Sequence, residues 1–163
     1  MAFRLTSKDF KDGDVLPQAQ VFNGMGHSGG NRSPQLQWED APEGTQSFVV
    51  TCYDPDAPTG SGWWHWVVVD IPGRARELPQ GAGSAGGEGD LPAPAFQTRT
   101  DFGPPGYGGA APPPGAPHRY IFTVHALKVP SLGLNAEVSP AYVGFNVHFN
   151  SLGSASLTAT YPG

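Results

Sequence analysis

Two short apolar runs dominate the hydrophobic pattern: Phe48-Val49-Val50-Thr51-Cys52-Tyr53, and the stretch from Trp63 to Ile71. Both are rich in β-branched and aromatic residues and bounded by Pro and Gly, which is how strands buried on both faces read. Between them, Pro55, Pro58, Gly60 and Gly62 interrupt any ladder and force a connecting loop. The polar exceptions sit at the strand ends, Asp54 closing the first run and His65 just inside the second. In an antiparallel pair those ends are neighbours, so a carboxylate and an imidazole meet at one rim of an apolar sheet.

Further along, 118–127 alternates cleanly. His118, Tyr120, Phe122 and Val124 share one face, and Arg119, Ile121, Thr123 and His125 take the other. Gln35-Leu36-Gln37-Trp38 reads as a half-buried strand, and 156–161 as a last one. Ser139-Pro140 supplies an N-cap and a first helical residue. Tyr142, Phe145 and Phe149 follow at spacings of three and four, which predicts the apolar stripe by which a short helix docks on the sheet. The opening segment, 1–39, is turn-rich. Its Gly24, Gly26, Gly29 and Gly30 predict a loop across a sheet edge, in which His27 reads as a solvated side chain. Asn31-Arg32-Ser33 has the spacing of a glycosylation sequon and is read as a chance match.

Residues 73–98 change character, with Gly, Ala, Pro and Gln prevailing, and read as a surface excursion. Within them Gly81-Ala82-Gly83-Ser84-Ala85-Gly86 has dinucleotide-fingerprint spacing. That motif needs a strand before it and a helix after it, and neither is predicted here.

At 163 residues the chain, 1–163, is expected to be one domain. Only 14% of residues are charged, while 23 Gly and 18 Pro would by themselves suggest disorder. Four Trp, nine Phe and five Tyr inside apolar runs argue instead for a compact, loop-rich β protein. The net charge of -5 comes with no basic block, so nucleic acid is not an expected partner. No 18-residue apolar span and no leader-like h-region occur, so no integral membrane association is expected and a soluble, cytoplasmic protein is. Cys52, the single cysteine, reads as a buried inert thiol.

Three polar groups fall at the ends of separate apolar strands: Asp54, His65 and His118. Before His118 runs a Gly/Pro-rich loop through Gly106-Tyr107-Gly108-Gly109 and Pro112-Pro113-Pro114, stiff at its prolines and bare at its glycines. Imidazole and exposed glycine N–H groups together form an anion cradle suited to phosphate. Asp54 orients one imidazole or meets a ligand ammonium. Trp63, Trp64, Trp66 and Tyr107 would wall a site for a small head group. A two-His, one-carboxylate metal face is conceivable, but the separations carry no ligand signature, and no cofactor is implied. With no G-x-S-x-G elbow and no reactive thiol, the chain is not expected to be an enzyme. Asp56 reads as a turn-capping residue and Asp70 as solvated.

Two blocks resemble the phosphatidylethanolamine-binding protein family, whose animal members include the Raf kinase inhibitor protein. They are Asp54-Pro55-Asp56-Ala57-Pro58 running to His65-Trp66, and Gly106-Tyr107-Gly108-Gly109 through Pro112-Pro113 to His118-Arg119-Tyr120. The resemblance is closest to the bacterial and archaeal branch. It implies a mostly β fold, a β-sandwich with a large central antiparallel sheet and a few short peripheral helices. It places Asp54, His65 and His118 in a small anion pocket, Gly108, Gly109 and Pro113 on its rim, and Tyr120 in its wall. A phosphate or phospho-head group is the implied ligand. The alternative it carries is inhibition of a kinase or protease through the rim loops. The apolar C-terminal segment is a candidate homodimer surface. Two departures stand out: Ala111 occupies a position where many members of this branch carry Cys, and the chain ends in a strand-like segment instead of a helix.

Overall fold

The computed structural model describes residues 2–163, leaving Met1, the first residue of the opening segment, outside the described region. The described residues form two antiparallel sheets, one helix and two short 3-10 turns. The larger sheet has the order β6-β4-β3-β7-β8, formed by β3 (Ser47–Asp54), β4 (Trp63–Pro72), β6 (Phe96–Gln97), β7 (His118–Leu127) and β8 (Ser151–Tyr161). Three strands make the smaller sheet, β1-β2-β5, from β1 (Arg4–Thr6), β2 (Leu36–Glu39) and β5 (Glu77–Leu78).

The main core fills the space between the sheets. Leu5, Leu36, Trp38 and Leu78 from the smaller sheet meet Phe48, Val50, Cys52, Trp66, Val68, Phe122 and Val124 from the larger one. The opposite face of β3 and β4, with Val49, Val67 and Val69, is covered by Val143 and Val147 of helix α1 (Pro140–Asn150). Both central strands are therefore buried on both sides, as their unbroken apolar runs require.

Three sequence readings are corrected. Helix α1 begins at the expected cap, with the Tyr142 N–H donating to Ser139 Oγ. It docks, however, through Pro140, Val143 and Val147, leaving Tyr142, Phe145 and Phe149 at least half exposed. The aliphatic side chains are compact enough to sit against the close-packed valines of the sheet. Asp70 is not solvated. It is buried at φ +56, beside a register shift, and accepts bonds from Ser131 Oγ (2.7 Å) and the Leu132 N–H (3.0 Å). Residues 73–98 are more than an excursion, since they contribute β5 and β6 and bury Leu78 and Ala82 completely. Gly83 lies so close to the Trp66 indole that a Cβ there would fall 2.4 Å from its Nε1. The glycine-rich hexad thus serves packing, and a turn follows it instead of a helix.

Candidate functional site

Antiparallel pairing brings the end of β3 beside the start of β4, with Asp54 opposite Trp63. One residue is then skipped. Cys52 pairs with Trp66 but Tyr53 with Trp64, so His65 has no Cα partner on β3. An extra residue of this kind re-aims a side chain. Strict alternation would send His65 to the helix-covered face with Val67. The bulge turns it inward with Trp66 and Asp54. On the other flank of β3, β7 starts at His118, two residues before Tyr120, and both point inward. Asp54, His65, His118 and Tyr120 are 2%, 4%, 8% and 1% exposed.

These four line one cavity of about 370 Å³. Its walls are apolar, with Pro58, Trp63, Phe102 and Pro112-Pro113-Pro114 prominent among them. No Lys or Arg lines it among the described residues. The His118 Nδ1–H donates to Asp54 Oδ2 at 2.7 Å, and Asp54 Oδ1 accepts from the Asp56 N–H, also at 2.7 Å. One carboxylate therefore fixes both an imidazole and the first turn of the loop after β3. Asp56 in turn accepts from the Arg119 N–H and from its guanidinium, Nε at 3.0 Å and Nη2 at 2.9 Å. That pairing pulls the Asp56 carboxyl down to about 2 and clamps the loop onto β7.

His65 is held differently. Its Nδ1–H donates to the Gly108 carbonyl at 2.7 Å, and the Gly108 N–H returns a bond to the His65 carbonyl at 3.0 Å. A carbonyl only accepts, so Nδ1 carries the proton and Nε2 is the lone-pair nitrogen of the neutral ring. Burial holds this imidazole below the usual histidine range despite Gly108 and the nearby Asp54 charge. Neutral His65 is therefore an acceptor at Nε2. Tyr120 remains a neutral phenol, pushed above the usual tyrosine range by burial first and by Asp54 second. Its hydroxyl and the Trp63 indole N–H are buried with no hydrogen-bond partner among the described residues. Two donors on residues that line the cavity are thus left unmatched, which is costly unless something else accepts from them.

Pro113 sits in the cavity wall as expected, whereas Gly108 and Gly109 do not line it. Their N–H groups are engaged inside the protein, Gly108 with His65 and Gly109 with Asn31 Oδ1 at 2.7 Å. The expected cradle of free glycine N–H groups is absent, because both glycines are consumed in positioning. Of the four aromatic residues expected as walls, only Trp63 contributes. Trp66 and Tyr107 pack edge to face in the main core, and Trp64 lies on the helix side. His27 is not merely solvated, since its Nε2–H donates to the Pro112 carbonyl at 3.0 Å and ties the glycine loop to the rim. Cys52 is buried, and its thiol is pushed well above the usual range.

Sequence reasoning missed two residues. Asn31 adopts φ +52, a left-handed conformation that asparagine tolerates better than most, and from there reaches Gly109. The apparent sequon disguised this role. Phe102 lines the cavity with its ring edge-on to His65 and Trp63, both at 5.4 Å between centroids. Its position in a Gly/Pro-rich loop resembled a turn filler.

No helix among the described residues is long and apolar enough to cross a membrane. A sequence profile described as phosphatidylethanolamine-binding protein matches residues 6–162. The UPF0098 protein YbhB of Escherichia coli is 62% identical over 158 residues, covering 97% of this chain and 99% of its own length. The UPF0098 protein YbcL of the same organism is 50% identical over 161 residues, covering 98% of this chain and 87% of its own length. The crystal structure of E. coli YbcL, described as a new member of the mammalian PEBP family, superposes with a TM-score of 0.96 at 48% identity, covering 100% of this chain and 99% of YbcL. A putative PEBP homologue from Chlamydia trachomatis superposes at 0.82 with 28% identity, covering 99% and 98%. Profile, near relatives and superposed backbones each span nearly the whole chain, and the chain accordingly belongs to the phosphatidylethanolamine-binding protein family.

Proposed function

We propose that this cavity binds a small phosphate-type anion, free or as a phosphoethanolamine-like head group, without turning it over. The observation that carries this reading is the convergence of two pinned imidazoles in one cavity, two of whose lining residues, Trp63 and Tyr120, carry unmatched donors. Phosphate oxygens accept from the Tyr120 hydroxyl and the Trp63 indole, and a phosphate hydroxyl donates to His65 Nε2. With no Lys or Arg in the lining, positive charge arrives only as protons on the imidazoles. Burial holds His65 below the usual histidine range, so its protonation, and the gain in affinity it brings, is expected only as pH falls below that range. Binding without turnover fits the lining, which holds no Ser or Cys and whose Thr59 hydroxyl already donates to Gly62.

Titration of phosphate and of phosphoethanolamine against the histidine ring resonances, at two pH values, tests the proposal. The expected result is a shift at both His65 and His118, with tighter binding at the lower pH. Silence at both rings would sink it. A second reading, docking of a kinase or protease on the rim, is favoured by exposed Met25, which stands beside the prolines of the cavity wall. Partner binding that persists after replacement of both histidines by Ala and disappears with Met25→Glu would favour that reading.

A further inference from the structure

A second hollow of about 420 Å³ adjoins Phe102 and is bordered by Phe22, Thr100, Tyr107 and Gly108. Phe102 lines both spaces. Its ring stacks on Phe22 from the far hollow at 4.7 Å, and meets His65 and Trp63 of the anion cavity edge-on. Contact with Gly108 is so close that a Cβ there would sit 2.3 Å from Phe102 Cε2, so the seat exists only because residue 108 has no side chain. We infer that Phe102 is the partition that sets the size of the ligand, excluding phosphomonoesters whose substituent needs the space behind it. The inference deepens the anion-binding proposal and rests on it.

The backbone of this partition is held independently of the ring. The Asp101 N–H donates to the Trp64 carbonyl, Asp101 Oδ2 accepts from the Trp64 N–H, and the Gly103 N–H donates to the Thr100 carbonyl. Truncating the ring therefore leaves the turn in place and joins the two hollows. An aryl group can then occupy the far space, between Phe22 and Tyr107, while the phosphate keeps its partners. The protein would discriminate by steric exclusion, as pockets do against oversized substituents.

Calorimetric titration of inorganic phosphate, phosphoethanolamine and 1-naphthyl phosphate into wild type and Phe102→Ala tests this. Phe102→Ala is expected to shift the ratio of 1-naphthyl phosphate affinity to inorganic phosphate affinity at least roughly tenfold towards the naphthyl ester, relative to wild type. Phosphate binding by both proteins with no change in that ratio would overturn the role of Phe102 while leaving the anion site standing. Failure of wild type to bind any of the three would remove the anion site, and this inference with it. Should Phe102→Ala not fold, Phe22→Ala loosens the same ring from the far side and is expected to give a smaller gain in the same direction. No gain there overturns the inference equally.

Discussion

The His118 imidazole donates through Nδ1–H to Asp54 Oδ2 at 2.7 Å, although 64 residues separate the two along the chain. Both side chains are buried, and the same carboxylate closes the turn to Asp56. Removing it strands a buried donor and frees the loop together. Asp54→Ala is expected to cost roughly 1–3 kcal/mol of stability, the usual penalty for an orphaned buried partner. It should also weaken phosphate binding on the order of tenfold, because His118 loses its orientation. Urea denaturation and calorimetry check the two effects separately, and a fully stable variant with wild-type affinity would show the pair to be incidental.

The second expectation concerns the loop that holds His65. Asn31→Ala removes the only acceptor for the Gly109 N–H among the described residues, at a cost of roughly 1–3 kcal/mol. Gly109→Ala is expected to cost more, since a Cβ would lie 2.2 Å from the Gln20 carbonyl oxygen and 2.6 Å from the Phe22 nitrogen. Both variants should also move the His65 ring resonances, through the adjoining Gly108 carbonyl. Equal stability of Asn31→Ala and wild type in urea would contradict this account.

Acid stability follows from three groups. Burial lowers His125 to about 4 and lowers His65 in the same direction, so the unfolded chain binds more protons than the folded one below the ordinary value of 6.5. Stability contributed by these neutral rings is present above pH 6.5 and is lost as pH falls from there towards 4. Asp56, held at about 2 by Arg119 against its usual 3.8, stabilises the fold above 3.8 and gives that up between 3.8 and 2. Melting temperatures should thus decline in two stages on acidification. His125→Gln should flatten the first stage and Arg119→Ala the second. A melting curve independent of pH between 7 and 4 would refute the assignment.

Much of this was legible in the chain because burial on both faces leaves little ambiguity: the runs at 48–53 and 63–71 cannot be anything but central strands. Asp54, His65 and His118 were likewise readable, since polar groups at the ends of such strands have one rim to share, whereas Tyr120 was implied by the family resemblance. The helix orientation was not. Its aromatic and aliphatic positions offer two competing stripes, and packing against a valine-lined sheet selected the slimmer one. Nor was the work of the glycines visible, because a glycine that offers its N–H to a ligand and one that gives it to Asn31 look the same in sequence. Phe102 escaped for a related reason: a ring acts as a wall only once the neighbouring hollows are known.

The unpaired residue in β4 has a bearing on how such proteins diversify. Because one surplus position turns His65 inward, losing its neighbour Trp64 would restore strict alternation, set His65 opposite Tyr53 and swing the imidazole towards the helix. Lengthening the connection from Asp54 to Trp63, by contrast, reshapes only the mouth. Lineages that exchange ligands are therefore expected to vary in the turns and to keep the count of residues in that strand.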